Sequence, residues 1–221
     1  MVVKSAGILV GEDAVRNTRP IRCDSTFPEW KGTEFPVLAW PRVRFAGEAL
    51  AVVAATDRYL AEDVAELVEV DYRPLTPVID MEAAVEPGSP LIHEKWGDNL
   101  FIDRGGTFGD VDTAFAEADL VWERAYRTHR HTGYPLEGRA CLAHWEPASQ
   151  MLPLYSATQI PHLLRTGSAD SRGLAEHNVR VIAPDVGGGF GIKAHLFPEE
   201  VALCLLSMRL SRPVKWIEDS R

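Results

Sequence analysis

Asp185-Val186-Gly187-Gly188-Gly189-Phe190-Gly191-Ile192-Lys193 follows the apolar alternation Val179-Arg180-Val181-Ile182-Ala183. A strand running into four glycines lets backbone N–H groups approach a partner closely, because no Cβ stands in the way. A loop built only for flexibility has no use for the single aromatic ring, Phe190. The stretch reads as a cradle for a bulky, anionic group. Two familiar cradles fit poorly. A Walker loop needs its last Gly directly before Lys and then Ser or Thr, whereas here Ile192 intervenes and Ala194 follows. In the dinucleotide fingerprint the helix opens within the glycines, whereas the best helix start here is Pro198.

Outward from the loop, the spacing predicts strands at Ala140 to Trp145, Leu152 to Ser156 and Val179 onward, and helices from Pro161 to Ser171 and from Pro198. Pro at a first helical turn and acids near the positive end of the dipole support the Pro198-Glu199-Glu200 start. A closing strand is predicted at Pro213 to Ile217, and a further one at Leu120 to Arg130. Asp110 caps a short helix. Toward the N-terminus, Ala49 to Ala55 reads as a buried strand and Tyr59 to Leu67 as an amphipathic helix. Val68, Val70 and Tyr72, alternating with Glu69 and Asp71, read as a half-solvated strand. Residues 1 to about 35 are expected to be irregular, broken by Pro20, Pro28 and Gly32. Two regions result, 1–80 and 109–221, joined by a connector at 81–108 with Pro87-Gly88-Ser89-Pro90 and Gly105-Gly106.

Composition narrows the function classes. Apolar content of 46% and charged content of 25% are ordinary globular values. A formal net charge of −9 repels phosphate backbones, so nucleic acid is an unlikely partner. No apolar run approaches the ~20 residues of a membrane span, and Met1 to Glu12 carries no convincing leader, so a cytoplasmic location is expected. Cys23, Cys141 and Cys204 are widely spaced and no Cys-x-x-Cys occurs, so this chain is not expected to hold zinc or an iron–sulfur cluster. Cys141 and Cys204 read as core residues.

Four segments in order carry a family resemblance. Val186 to Lys193 resembles the VGGGFGxK loop of the molybdopterin-binding large subunits of the xanthine dehydrogenase, aldehyde oxidase and aerobic carbon monoxide dehydrogenase superfamily. Phe45 to Ala54 with Ala61 to Tyr72 is similar to that family's hammerhead domain. Pro135-Leu136-Glu137-Gly138-Arg139-Ala140 is similar to its PMEPRA segment, and Ser156-Ala157-Thr158-Gln159 to its STQ segment. The implied fold is α+β, a small hammerhead-type α/β domain followed by the first part of a molybdenum-cofactor-binding α+β domain.

The resemblance also implies a chemistry. Members hydroxylate an aldehyde or N-heterocycle, or oxidise CO, with water as the oxygen source. They use molybdenum-molybdopterin, as such or as its cytosine dinucleotide, and pass electrons to iron–sulfur (Fe-S) and FAD partner subunits. By resemblance, Gln159 donates through its NH2 group to a molybdenum oxo ligand, while Gly188, Gly189, Phe190 and Gly191 bind the cofactor. No side chain of this chain ligates the metal directly. Purine-hydroxylating members place Glu directly after the loop Lys, where this chain has Ala194, so a purine substrate is not expected. Glu137 and Arg139, two apart on one strand face, form a candidate ion pair beside the pocket. Lys193 reads either as a phosphate contact or as a side chain snorkelling at the loop rim. The family's catalytic base lies in a Gly-Val-Gly-Glu segment absent here. The chain is therefore expected to be a fragment, inactive alone and partnered by the rest of the large subunit. The alternative is a non-catalytic truncated paralogue, a binding or assembly remnant of the same scaffold.

Overall fold

The computed structural model describes residues 5–23, 25 and 27–219. The outer limits of the two expected regions, and the start of the segment examined for a leader, lie outside the described residues. The chain divides into two compact units, one of Met1–Cys23, Thr33–Leu75 and Gly133–Arg221, the other of Asp24–Gly32 and Thr76–Thr132.

In the larger unit, β1 (Ser5–Val10) pairs antiparallel with β4 (Ala51–Ala55), and β2 (Ile21–Cys23) with β3 (Thr33–Phe35). Helix α1 (Gly11–Asn17) follows β1 directly, so the N-terminal stretch is not irregular as the breakers suggested. Its first residue is glycine for a packing reason. A Cβ on Gly11 would lie 2.2 Å from the Ala39 carbonyl oxygen. Helix α2 (Arg58–Ala65) starts one residue before the expected Tyr59, because Asp57 caps it, its Oδ1 accepting the Leu60 N–H at 2.9 Å.

Residues 140–217 of the same unit form a four-stranded sheet, ordered β7-β6-β5-β8, from β5 (Ala140–Ala143), β6 (Leu152–Ser156), β7 (Val179–Ile182) and β8 (Val214–Ile217). β6 and β7 run parallel and therefore need a crossover, which α4 (Pro161–Arg172) supplies. β5 pairs antiparallel with β6 and β8. Helix α5 (Pro198–Leu210) is buried nearly all round, the signature of a helix with apolar neighbours on every side. Val201, Ala202, Leu205 and Leu206 join Leu9, Val37, Leu38 and Ala54 in one core cluster. Leu203 and Cys204 join Cys141, Leu152, Leu154, Leu164 and Val179 in a second. Burial pushes the Cys204 thiol up to about 12, as befits a packing residue rather than a nucleophile.

The smaller unit contains α3 (Val111–Glu117), capped by Asp110 through the Thr113 N–H at 3.1 Å. Trp30, Trp96 and Phe101 stack there, with ring centroids 4.4 Å apart for Trp30–Phe101 and 5.7 Å for Trp96–Phe101. The Asn99 side chain ties together Ile92 N–H and the Ala84 and Pro90 carbonyls. Two expected strands are absent. Residues 68–72 and 120–130 are neither strand nor helix, and Val68, Val70, Tyr72, Leu120, Trp122 and Tyr126 are exposed. Alternation marks a face, but a strand exists only where a second edge takes up its N–H and C=O groups.

Candidate functional site

The glycine loop leaves the end of β7 and returns to the start of α5, and both of its shoulders are tied to the larger unit. At the first shoulder, Glu137 Oε2 accepts the Gly187 N–H at 2.8 Å, and the Glu137 N–H reaches the Gly187 carbonyl at 3.4 Å. At the second, the Lys193 carbonyl accepts the Gln159 N–H at 2.9 Å and the Thr158 hydroxyl at 3.2 Å. Between them the chain turns sharply. Gly188 has φ +94° and Gly191 φ +82°, and Phe190 itself is left-handed at φ +51°, an uncommon state for a bulky residue. Such an outlier is worth a functional reading when the surroundings hold it in place. The Phe190 ring is 74% exposed.

Gln159 and the loop meet directly. The Gly191 N–H donates to Gln159 Oε1 at 3.1 Å. An N–H can only donate, so this bond fixes the amide orientation and leaves the NH2 group as the donor end of Gln159. Gly189 passes so close that a Cβ there would lie 2.3 Å from Gln159 Cδ and 2.4 Å from Oε1. Of the loop's amides, Gly188 N–H turns back to Val186 O, and Ile192 and Ala194 N–H to Gly189 O and Gly191 O. Gly191 N–H, expected as a donor to a cofactor, is taken up by Gln159. The N–H groups of Gly189 and Phe190 make no hydrogen bond among the described residues. What the site presents is therefore neutral donors, two backbone amides and one side-chain NH2. Such a set suits oxo or phosphate-like acceptors. Among the described residues no group of three or more His, Cys, Asp or Glu is placed to hold a metal ion.

The charged candidates have partners other than those expected. Glu137 does not pair with Arg139. It pairs with Lys193, Nζ to Oε2 at 2.6 Å, and that ammonium and the Gly187 N–H hold the Glu137 carboxyl below the usual carboxylate range. Lys193 is neither at the rim nor free for a phosphate, since its side chain is 1% exposed. Residues 136–138 lie ahead of β5 rather than in a strand, so the shared face on which the Glu137–Arg139 pairing rested does not exist. Arg139 donates from Nε and Nη2 to Glu218 Oε1 at 2.9 and 2.6 Å, and also pairs with Glu199. Its guanidinium lies 3.9 Å from the Phe197 ring centroid and 5.3 Å from that of Trp216. Fork and faces are both occupied, so Arg139 joins the start of β5, the end of β8 and the start of α5.

Behind the loop, Arg139, Ser156, Thr158, Lys193, His195 and Glu200 line a cavity of about 10 Å³. That is room for about one water. It is far too small for a substrate. Glu200, read in the sequence only as a helix-start acid, is buried, accepting the Ser156 hydroxyl at 2.5 Å and the Phe197 N–H at 2.9 Å. Glu at the third helical position is the available signal for such a back-bonding carboxylate. Ala194 is half-buried, with its N–H on the Gly191 carbonyl at 3.2 Å. His195 stacks edge-on against Phe197, ring centroids 5.8 Å apart. His129 and His131, which share no ligand set, lie in the smaller unit.

Comparison with known proteins bears on the family and the fold. Residues 92–221 match the molybdopterin cofactor-binding domain, and residues 7–76 the aldehyde oxidase and xanthine dehydrogenase a/b hammerhead domain. The nicotine 6-hydroxylase large subunit of Paenarthrobacter nicotinovorans is 40% identical over 84% of this chain and 23% of its own length. The carbon monoxide dehydrogenase large chain of Afipia carboxidovorans is 38% identical over 87% of this chain and 25% of its own. The crystal structure of quinoline 2-oxidoreductase from Pseudomonas putida 86 superposes with a TM-score of 0.91 at 36% identity, covering 98% of this chain and 27% of that one. The chain spans about a quarter of the length of these relatives.

Proposed function

The chain belongs to the family of molybdopterin-binding large subunits that carry the aldehyde oxidase and xanthine dehydrogenase hammerhead domain, and on that premise we propose that it forms part of a molybdenum hydroxylase. The observation that carries this reading is the donor set: free N–H groups on Gly189 and Phe190 beside a Gln159 amide whose oxygen is already committed to Gly191. The residues fit the group, since donors without charge or thiolate suit a cofactor that brings its own metal ligands. When bound, that cofactor supplies an acidified water and a two-electron acceptor.

The chain's own part is to bind and orient. Gln159 donates its NH2 hydrogen to an oxo group, and Gly189 and Phe190 donate backbone N–H groups alongside it. Gly188 and Gly191 provide the left-handed turns that bring the backbone in close. Phe190 presents its exposed ring on the same loop. Glu137 and Arg139 support the loop and the adjoining sheet and do not touch the substrate. The acid–base residue of the reaction belongs to another part of the large subunit, so this chain alone is inactive.

The substrate is an aldehyde, an N-heterocycle or CO. The nicotine, quinoline and carbon monoxide enzymes among the relatives support that range. With Ala194 beside the loop lysine, a purine is the least suitable heterocycle. Electrons leave to Fe-S and FAD subunits, the cofactor is the plain molybdopterin or its cytosine dinucleotide form, and the complex works in the cytoplasm. No helix among the described residues is long and apolar enough to cross a membrane. The modules are read as 1–80 and 109–221 with a connector at 81–108; the two matched segments, 7–76 and 92–221, leave a shorter stretch, 77–91, between them.

The test is to produce the chain with the remaining large-subunit sequence and the Fe-S and FAD subunits in a host that makes molybdenum cofactor. Elemental analysis and pterin fluorescence should give stoichiometric molybdenum and pterin. A folded complex containing neither would overturn the reading.

A further inference from the structure

We propose that Glu137 and Lys193 are a positioning pair that sets the aim of the loop's free amides; this deepens the molybdopterin reading and rests on it. One oxygen, Glu137 Oε2, holds both ends of the loop. It accepts the Gly187 N–H at 2.8 Å and the Lys193 ammonium at 2.6 Å. The two free N–H groups, Gly189 and Phe190, lie between these anchors in sequence. The Lys193 carbonyl is fixed in turn by Thr158 and by the Gln159 N–H, so the same residue couples the carboxylate to the amide that faces the loop. The seven residues 187–193 are thus drawn to one point at their base, while their tip carries left-handed Phe190.

The chemistry of the pair explains why it is ionic. A loop with no helical or sheet hydrogen bonds has several near-equal arrangements, and a charge-assisted bond with a unique partner selects among them. Burial makes the selection asymmetric. The Lys193 side chain is 1% exposed whereas that of Glu137 is 39% exposed. Neutralising Glu137 strands an ammonium away from water, and neutralising Lys193 leaves a carboxylate that water can reach. The lysine's charge is consumed inside the protein, so the loop meets its ligand with amide dipoles rather than with a cation.

The experiment uses the assembled enzyme with Glu137→Gln, Lys193→Met and the double variant. Arg165→Gln on α4, which breaks an exposed ion pair with Glu176, is the control. Three quantities are read: the melting temperature, the rate at which pterin is released on dilution, and the Mo(V) electron paramagnetic resonance spectrum of the loaded fraction. Glu137→Gln should speed release about tenfold and Lys193→Met roughly threefold. Both should alter the Mo(V) spectrum, the double variant should resemble Lys193→Met, and the control should match the wild type. If Glu137→Gln does not fold, Lys193→Met decides, because its residual carboxylate is hydrated. Lowered melting with unchanged release and spectrum makes the pair merely structural and overturns the proposal. A wild-type complex that loads molybdenum alongside variants indistinguishable from it removes the clamp and leaves the proposed function standing. A wild-type complex with no molybdenum removes both.

Discussion

Residues 133–217 and residues 76–132 dispose of their apolar side chains in opposite ways. In the first stretch, Leu152, Leu154, Leu164 and Leu203 are buried between a sheet and two helices. In the second, Ile79, Met81, Phe108, Leu120, Trp122 and Tyr126 stand exposed, and order comes from local devices. These are the Asn99 hub, the aromatic trio of Trp30, Trp96 and Phe101, and aspartates that cap turns. The difference teaches where rigidity comes from in this chain. The glycine loop has no regular structure, yet it is fastened at both shoulders to elements that bury leucines. An exactable hydrogen-bond geometry at Gly189 and Phe190 therefore rests on cores some distance from it.

The sharpest way to break this contrast is to truncate one leucine. Leu154→Ala removes a fully buried side chain from the central strand β6. The expected loss is about 2–5 kcal/mol of unfolding free energy, the transfer term plus a cavity that α4 and α5 cannot collapse to fill. Urea denaturation followed by circular dichroism measures it. A loss below about 1 kcal/mol, the level of an ordinary surface change, would mean that this core does not support the loop.

At the loop itself the effect should be smaller. Gly189→Ala places a methyl 2.3 Å from Gln159 Cδ, so the side chain must swing away and abandon the Gly191 N–H. Overpacking of this kind costs roughly 1–3 kcal/mol. Because Gln159 is exposed and can move, the lower half of that range is expected in urea, with pterin content falling more steeply than stability. Equal losses in both would place Gly189 among ordinary packing residues.

How much of this was legible in the sequence follows the same division. Leu152 to Ser156 spells β6, and Pro161 and Pro198 mark the starts of α4 and α5, because pattern and partner agree there. The alternations at 68–72 and 120–130 are just as regular, yet no strand forms, since periodicity says nothing about whether an edge is available. Helix α1 escaped notice because its one unusual requirement, a glycine against the Ala39 carbonyl, is tertiary. At the site, Gln159 and the glycines were identified by motif and are found together. The Glu137–Lys193 pair was not legible, because its members are 56 residues apart and nothing local hints that the lysine is buried. Arg139 was noticed for its charge, but its neighbours Glu218, Phe197 and Trp216 come from elements far along the chain.

Glu200 and the capping aspartates of residues 76–132 should also answer pH with opposite signs. Burial pushes the Glu200 carboxyl above its ordinary range, so the folded state binds that proton more tightly than the unfolded one. Its contribution is full below the unfolded value and is lost as pH rises through the folded value. Asp80, Asp98 and Asp110 are held below their ordinary range, by the Ala83 N–H, the Lys31 ammonium and the Thr113 N–H respectively. Their contributions are present above the unfolded value and fade as pH falls through the folded one. Glu200→Gln keeps an acceptor for the Phe197 N–H and stops titrating. It should leave stability unchanged in acid and raise it modestly toward neutrality. The protection of the Thr113 and Ala83 amides against hydrogen exchange, taken relative to the intrinsic rate at each pH, should by contrast fall in acid. A Glu200→Gln variant that loses stability on approach to neutral pH would show that Ser156 and Arg139 outweigh burial.

The smallest expected effect lies at Trp122, and it is the one that most directly tests the exposed stretch. The side chain is 71% exposed, in a segment that is neither strand nor helix. Cutting it to alanine creates no cavity and strands no polar group, so Trp122→Ala should change the unfolding free energy of this chain by no more than about 0.5 kcal/mol. Large aromatics are rarely left open to water in numbers on a finished surface, and here Trp122 has Leu120, Val121 and Tyr126 for company. The same substitution is therefore to be measured twice, on the chain by itself and on the assembled complex. Indifference in the first and a loss in the second would locate the function of this stretch in contacts made outside the chain. A loss of several kcal/mol in the first, on the scale of Leu154→Ala, would mean that residues 120–131 contribute to a core after all, and the contrast between the two stretches would fall.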